Sequence, residues 1–119
     1  MDLCVWLAAG TVLWLRSAGP VRIEWEHSVE HFRIEELYQA TPAGVVLAQV
    51  GVRGLGAGVE PPADAVLADG WWRHAPAASA MPAVEFANSR HAKGYRACAS
   101  GTCRPVPAGS AIGLRRCGP

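Results

Sequence analysis

The segment Val21-Arg22-Ile23-Glu24-Trp25-Glu26-His27 alternates apolar and polar side chains with a period of two residues. This period is typical of a β-strand with one buried face, because successive side chains of a strand point to opposite sides of the sheet. Residues 34–40 follow after a short connection and continue the pattern. The two segments together predict an antiparallel hairpin near the start of the fold.

We place the loop of this hairpin at Glu30-His31-Phe32-Arg33. That choice sets Trp25 opposite Tyr38 and His27 opposite Glu36, with the apolar side chains of both strands on one face. A slip of one residue would mix the faces, so the apolar pattern favours this register. It predicts a His27–Glu36 pair that could hold a proton, orient a ligand group or bind a metal. A structural hydrogen bond that fixes the hairpin register is the alternative.

The rest of the chain has the pattern of short strands separated by turns rich in glycine and proline. No segment shows a sustained helical period. We therefore predict an all-β fold, a small antiparallel barrel or sandwich of about seven to nine short strands. Besides the hairpin, strands are expected at 45–52, Trp71-Trp72, 84–87 and 95–98.

Composition limits the function classes. The chain has 119 residues, of which 18% are charged and 50% hydrophobic, and its net charge is +1. This length fits one domain, and the composition is unlike that of long disordered segments. The balanced charge predicts no nucleic-acid partner. We expect a single β domain over residues 1–106 and a loosely ordered tail over 107–119.

The apolar segment 3–15 decides whether the N-terminus belongs to the fold. We interpret it as two strands, 4–7 and 11–16, around Ala9-Gly10. A signal peptide and a membrane anchor are the alternatives. An ordinary signal peptide has a basic region at its start, whereas no Lys or Arg precedes Arg16 here. The segment is also shorter than the ~20 residues of a spanning helix, so we expect no transmembrane span.

The cysteines suggest one local cross-link. Cys98 and Cys103 flank Ser100-Gly101, a pair that suits a two-residue hairpin turn. The two cysteines would then be opposite each other at a non-hydrogen-bonded pair, with Cβ atoms ~4.5 Å apart, close to disulfide range. Cys98–Cys103 is therefore a disulfide candidate in an oxidising compartment, with free thiols or a zinc site as alternatives. Cys117 is expected to be an unpaired thiol.

Several other residues could form a site. Gly56 and Gly58, followed by Glu60, could form a concavity of backbone amides for an anion, or simply a bend between strands. Trp71 and Trp72 would point to opposite faces of a strand, so that one could cover a ligand or partner surface. The acidic residues could bind a hard cation or form a solvated rim.

A serine hydrolase is disfavoured. Ser28 is adjacent to His27, and adjacent strand residues point to opposite faces, so the pair cannot act as nucleophile and base.

Five motifs occur in one order along the chain: His27-Ser28-Val29-Glu30, Glu35-Glu36, 56–62, Asp69-Gly70-Trp71-Trp72 and the Cys98/Cys103 hairpin. Over roughly residues 3–106 this combination resembles the small bacterial and archaeal family named domain of unknown function eighteen-fifty. The resemblance implies genes beside TRAP-type transporters whose solute receptors belong to the TAXI class. It therefore implies a transport-accessory role, with no established activity.

Our first hypothesis is a non-enzymatic accessory or binding protein linked to such a transporter, with a transporter subunit or a small solute as partner and no cofactor. The location is expected outside the cytoplasm or at a membrane. The alternatives are a purely structural interaction module and a metal- or ligand-dependent enzyme centred on His27, Glu30 and Glu36, of which His27 and Glu36 are weak metal candidates. The ligand-binding candidates are His27, Ser28, Glu30, Glu36, Gly56, Gly58, Glu60 and Trp71.

Overall fold

The fold is a two-sheet β-sandwich. A computed structural model describes residues 1–7, 11–27, 32–54, 61–87 and 92–118 of the chain, and these contain eleven strands and no helix. The strands are β1 (Leu3–Leu7), β2 (Val12–Ser17), β3 (Val21–His27), β4 (Arg33–Thr41), β5 (Gly44–Arg53), β6 (Val66–Ala68), β7 (Trp71–His74), β8 (Val84–Phe86), β9 (Ala92–Ala99), β10 (Thr102–Pro105) and β11 (Ile112–Arg116).

The strands form two antiparallel sheets that do not close into a barrel. The four-stranded sheet has the order β2-β1-β11-β8, and the seven-stranded sheet has the order β10-β9-β3-β4-β5-β7-β6. The predicted all-β fold is therefore confirmed, as a sandwich rather than a barrel and with eleven described strands rather than seven to nine. Within the described ranges, no helix is long and apolar enough to cross a membrane.

The core lies between the two sheets and follows the period-two pattern. On β3, Val21 and Ile23 are fully buried, as are Leu3 and Val5 on β1. Their neighbours in sequence point away from the core, because side chains alternate along a strand. Each sheet thus buries one apolar face, and the alternate side chains of its strands lie on its outer face.

The C-terminal segment corrects one expectation. Residues 107–119 were expected to be a loose tail, but β11 lies inside the four-stranded sheet, between β1 and β8. Its side chains Ile112 and Leu114 are buried at 1% and 0% exposure. The alternation of apolar and other residues over 112–116 is the sequence signal for this strand.

The register of the β3–β4 hairpin also differs from the prediction. Ile23 is opposite Glu36 and Trp25 is opposite Ile34, a shift of four residues. The physical reason is Phe32, which is buried at 5% exposure and was wrongly assigned to the loop. The backbone N–H of His27 donates to the carbonyl of Phe32 at 2.9 Å, so the strand pairing includes Phe32, which the prediction placed in the loop. An even shift keeps each side chain on its face, so the predicted faces are correct.

The predicted N-terminal hairpin is present. β1 pairs with β2 on one side and with β11 on the other. A disulfide joins Cys4 to Cys117, so the expectation of an unpaired Cys117 was wrong. The two cysteines are brought together by the long-range β1–β11 pairing, which local spacing does not reveal.

The second disulfide joins Cys98 to Cys103 across the β9–β10 hairpin. The two residues are directly opposite each other, as the Ser100-Gly101 turn predicts. Ser100 has a φ of 52° and Gly101 a φ of 78°, the left-handed conformations of a type I′ turn.

We predict that the two disulfides contribute unequally to stability. Cys4–Cys117 closes a loop with a sequence separation of 113, and Cys98–Cys103 one of 5. In the chain-entropy description, replacing both cysteines by serine should cost about 5 kcal/mol for the first pair and about 2 kcal/mol for the second. Urea unfolding of the two double variants measures the difference. An equal loss in both would contradict a loop-entropy origin.

Candidate functional site

Of the eight residues that the sequence proposed as ligand-binding, the structure describes His27, Glu36 and Trp71. Ser28, Glu30, Gly56, Gly58 and Glu60 lie outside the described residues.

The His27–Glu36 pair is wrong, because Glu36 is opposite Ile23, four residues before His27 on β3. His27 instead stacks on the ring of Phe32, with ring centroids 5.0 Å apart. Trp71 lies on β7, opposite Arg53 of β5.

The strand ends that flank residues 28–31, 55–60 and 88–91, which lie outside the described ranges, are at one end of the seven-stranded sheet. His27 is paired with Ala92, and Arg33 with Arg53. The ends of β3 and β5 and the starts of β4 and β9 are therefore neighbours.

Glu36 lies on the inner face of the seven-stranded sheet, beside a cluster of aromatic rings. Tyr38 donates its hydroxyl hydrogen to Glu36 Oε2 at 2.9 Å. Trp25 stacks on Tyr95 at 5.4 Å, and Phe86 of the other sheet meets both rings and Tyr38 edge-on at 5.8–6.1 Å. The carboxylate thus lies where the two sheets meet through aromatic side chains.

These surroundings shift the pKa values of Glu36, Tyr38 and Tyr95. Burial raises the pKa of Glu36, and the hydrogen bond from Tyr38 opposes this only in part. Burial and the nearby Glu36 charge raise the pKa of Tyr38 and of Tyr95. Both tyrosines therefore remain hydrogen-bond donors at neutral pH, beside a carboxyl group whose pKa burial raises.

The outer face of the same sheet carries a layer of arginines over two buried carboxylates. Glu24 and Glu35 are directly opposite each other and are exposed by only 5% and 7%. Arg96 Nη2 is 2.6 Å from Glu24 Oε1, and Arg73 Nε is 2.6 Å from Glu35 Oε1. Arg22 Nε bridges the two, at 2.5 Å from Glu24 Oε2 and 3.8 Å from Glu35 Oε2. We call these five residues the arginine–glutamate ladder.

Two local features make the ladder possible. Gly51 lies between Glu35 and Arg73 in the row, and a Cβ there would be only 2.6 Å from Glu35 Oε1. The missing side chain therefore leaves room for the ion pair. Burial alone would raise the pKa of Glu24, but the hydrogen bonds from Arg96 and Arg22 outweigh it and lower that pKa. Glu24 is held as an anion by its neighbours.

Next to the ladder, three residues have potential metal-ligand atoms close together, but they form a poor metal site. One oxygen of Glu24 and the sulfurs of Cys98 and Cys103 lie within 4.8 Å of one another. The sulfurs are bonded to each other, so neither is a thiolate, the form that binds metals.

A cleft lies on the outer face of the four-stranded sheet. Trp6, Gly113 and Glu85 form one row across β1, β11 and β8. Because Gly113 has no side chain, the row is depressed at its centre, and the cavity there measures about 390 Å³. The Arg115 guanidinium carbon is 4.4 Å from the centre of a Trp6 ring. The indole Nε1 of Trp6 is buried and has no acceptor in the described part of the chain.

The sequence did not single out the cleft residues. Trp6 was assigned to a strand, and Gly113 and Arg115 to the loose tail. The alternation Ile112-Gly113-Leu114-Arg115 could have identified β11. Its position beside β1 and β8 follows only from the topology.

The comparisons with known proteins give one match. A family model described as Domain of unknown function (DUF1850) matches residues 21–106. The matched range includes the ladder, Glu36 and Glu85, while Trp6, Gly113 and Arg115 lie outside it. No curated protein and no solved structure matches the chain.

We predict that Glu36 destabilises the fold progressively as the pH rises. Its raised folded-state pKa means that its contribution is most favourable below the ordinary value of 4.5 and is lost as the pH rises through the folded value. Glu36→Gln removes this titration and keeps an acceptor for Tyr38. Urea unfolding from pH 4 to pH 7 should show that the free energy of unfolding of the variant rises relative to that of the natural chain as the pH increases.

The matched control is Glu26→Gln, which removes a carboxylate from the outer face of the same hairpin. A Glu36→Gln variant whose stability changes with pH in parallel with the natural chain would show that the carboxyl is not desolvated.

Proposed function

The chain belongs to the DUF1850 family, and we propose that it is a non-enzymatic binding module that accompanies a solute transport system and holds a small solute in the Gly113 cleft. The observation that carries the proposal is the buried indole N–H of Trp6, which has no acceptor among the described residues. A buried donor without a partner costs about 1–3 kcal/mol. A solute that draws the indole toward the cleft and supplies an acceptor would recover that cost.

The size of the cleft supports a small ligand. Its volume of about 390 Å³ is at the lower end of the ~300–1,000 Å³ of typical ligand pockets. Gly113 forms its floor, and the Trp6 ring provides an apolar wall with the Arg115 guanidinium stacked on it. A planar cation on an aromatic face is fixed in orientation while its N–H groups remain available to a ligand.

The charges indicate which solute would fit. Trp6 and Arg115 offer donors on one side, and Glu85 offers a carboxylate across Gly113. A small zwitterion complements both sides, with its carboxylate toward Trp6 and Arg115 and its ammonium group toward Glu85.

Two further points support the wider role. Both described disulfides are of the kind that persists in oxidising compartments, which favours a location outside the cytoplasm. The link to a TRAP-type transporter of the TAXI class rests on the gene neighbourhoods that the family resemblance implies. The enzyme centred on His27, Glu30 and Glu36 loses its geometric basis, because His27 is not opposite Glu36.

We predict that filling the cleft floor abolishes binding and leaves the fold intact. A Cβ at Gly113 has no atom within 4 Å, so the side chain of Gly113→Val starts in open space and extends into the cleft. Valine also suits a strand better than glycine, so stability should stay equal or rise by up to ~1 kcal/mol. Calorimetric titration with L-alanine, L-glutamine and L-glutamate should give binding in the natural chain and none in the variant.

Gly19→Ala is the matched control, because its Cβ is equally unobstructed and Gly19 is remote from the cleft. Binding that survives Gly113→Val, or no binding of any of the three probes to the natural chain, would refute the zwitterion site.

The transport link has its own test. A tagged chain purified from detergent-solubilised membranes of its native host should carry TRAP-type membrane subunits or the solute receptor with it, in amounts that exceed an untagged control. Recovery of the tagged chain without any transporter component would contradict the link and leave the cleft proposal untouched.

A further inference from the structure

One corner of the seven-stranded sheet concentrates positive charge. Arg33 of β4 is directly opposite Arg53 of β5 on the outer face, and Arg53 is directly opposite Trp71 of β7. Directly opposed residues have Cβ atoms ~5 Å apart, and like charges at such positions destabilise a sheet. Among the side chains that the structure describes, this face carries five guanidinium groups, on Arg22, Arg33, Arg53, Arg73 and Arg96, against three carboxylates, on Glu24, Glu26 and Glu35.

The ladder neutralises this corner only in part: Arg33 is directly opposite Glu26 and within ion-pair distance of Glu24, and neither carboxylate forms an ion pair with Arg53. The contact between Arg33 Nη2 and Glu24 Oε1 is 3.6 Å, beyond hydrogen-bond length, while Arg22 and Arg96 approach that carboxylate to 2.5 and 2.6 Å. Arg33 Nη2 is buried and has no hydrogen-bond acceptor within the described ranges. Arg53 is exposed, and no carboxylate of the described residues forms an ion pair with it.

The corner also has a defined wall. The Arg73 guanidinium carbon lies 5.2 Å from the centre of a Trp71 ring, and the same Arg73 is held by Glu35 at 2.6 Å. Arg53 lies along the β6–β7 turn, where a Cβ on Gly70 would be 3.7 Å from its Nε. Arg53 thus lies between the half-buried indole of Trp71 on one side and Arg33 on the other.

We propose that Arg33 and Arg53 form an oxyanion site, walled by Trp71, that takes a phosphate or a dicarboxylate. Each guanidinium can present a fork of two N–H donors, which matches the paired oxygens of phosphate and carboxylate groups. A doubly charged anion between them removes the repulsion of the opposed pair. The site is separate from the Gly113 cleft, which lies on the other sheet.

The test measures thermal unfolding at low salt with inorganic phosphate or succinate, against sodium chloride at equal ionic strength. At least one of the two anions should raise the Tm of the natural chain beyond the chloride value. Arg53→Gln should lose this gain. Arg104→Gln should keep it, because it removes the same charge from β10, where Arg104 donates to the carbonyl oxygen of Trp14 and stacks on its ring. A gain matched by chloride, or one that Arg53→Gln retains, would overturn the proposal.

Arg53→Glu distinguishes an external anion from a carboxylate of the chain itself. If the corner lacks an anion of its own, the variant pairs with Arg33 and melts higher than the natural chain in low salt without added anion. A lower Tm would show that a carboxylate of the chain already occupies Arg53, and the proposal would fail.

Vesicles identify the source of the oxyanion. Arg53-dependent flotation with vesicles of phosphatidylglycerol and phosphatidylcholine, but not of phosphatidylcholine alone, would assign the site to lipid headgroups. A phosphate or succinate gain without flotation would assign it to a free anion.

Discussion

The close opposition of Glu24 and Glu35 constrains the whole seven-stranded sheet. Two carboxylates on neighbouring strands, exposed by 5% and 7%, repel each other unless cations cover them. Arg96 and Arg73 approach from either side, and Arg22 lies between the two. Removing one member of such a buried cluster leaves an uncompensated charge, which costs more than the intact cluster contributes. The pairing of β3 with β4 in this register therefore depends on the arginine–glutamate ladder.

The same register determines the chemistry of the inner face. With Ile23 opposite Glu36, the glutamate lies beside Tyr38 and close to the ring pair of Trp25 and Tyr95. One hairpin thus holds an anion under arginines on one side and a carboxyl group that burial drives toward its neutral form on the other. The acidic residues of this hairpin are sorted by face, and each face gives the carboxyl group a different partner.

The two binding proposals use surfaces that the core does not constrain. The Gly113 cleft is on the outer face of the four-stranded sheet, and the Arg33–Arg53 corner is on the outer face of the other. Each lies beside a buried donor without an acceptor among the described residues, the Trp6 indole in one and Arg33 Nη2 in the other.

Sequence periodicity predicted the faces of the strands but not their alignment. Any even shift of β4 along β3 keeps the apolar side chains inward, so the pattern could not distinguish the true register from one four residues away. Placing the aromatic Phe32 in the strand rather than in the loop would have done so. The Cys98–Cys103 disulfide was accessible because a local turn determines it.

Long-range features could not be predicted in this way. Cys117, Gly113 and Arg115 acquire partners only because β11 enters the sheet between β1 and β8. The Arg33–Arg53 opposition likewise depends on the register of two long strands, which residue spacing alone does not provide.

A carbon-13 NMR titration of the side-chain carboxyl groups would show whether the two faces of the β3–β4 hairpin shift acidity in opposite directions. Glu36 should titrate above the ordinary value of 4.5 and Glu24 below it, in the same sample. Titration of both groups at one pKa, or of Glu36 below Glu24, would contradict the arrangement of the hairpin described above.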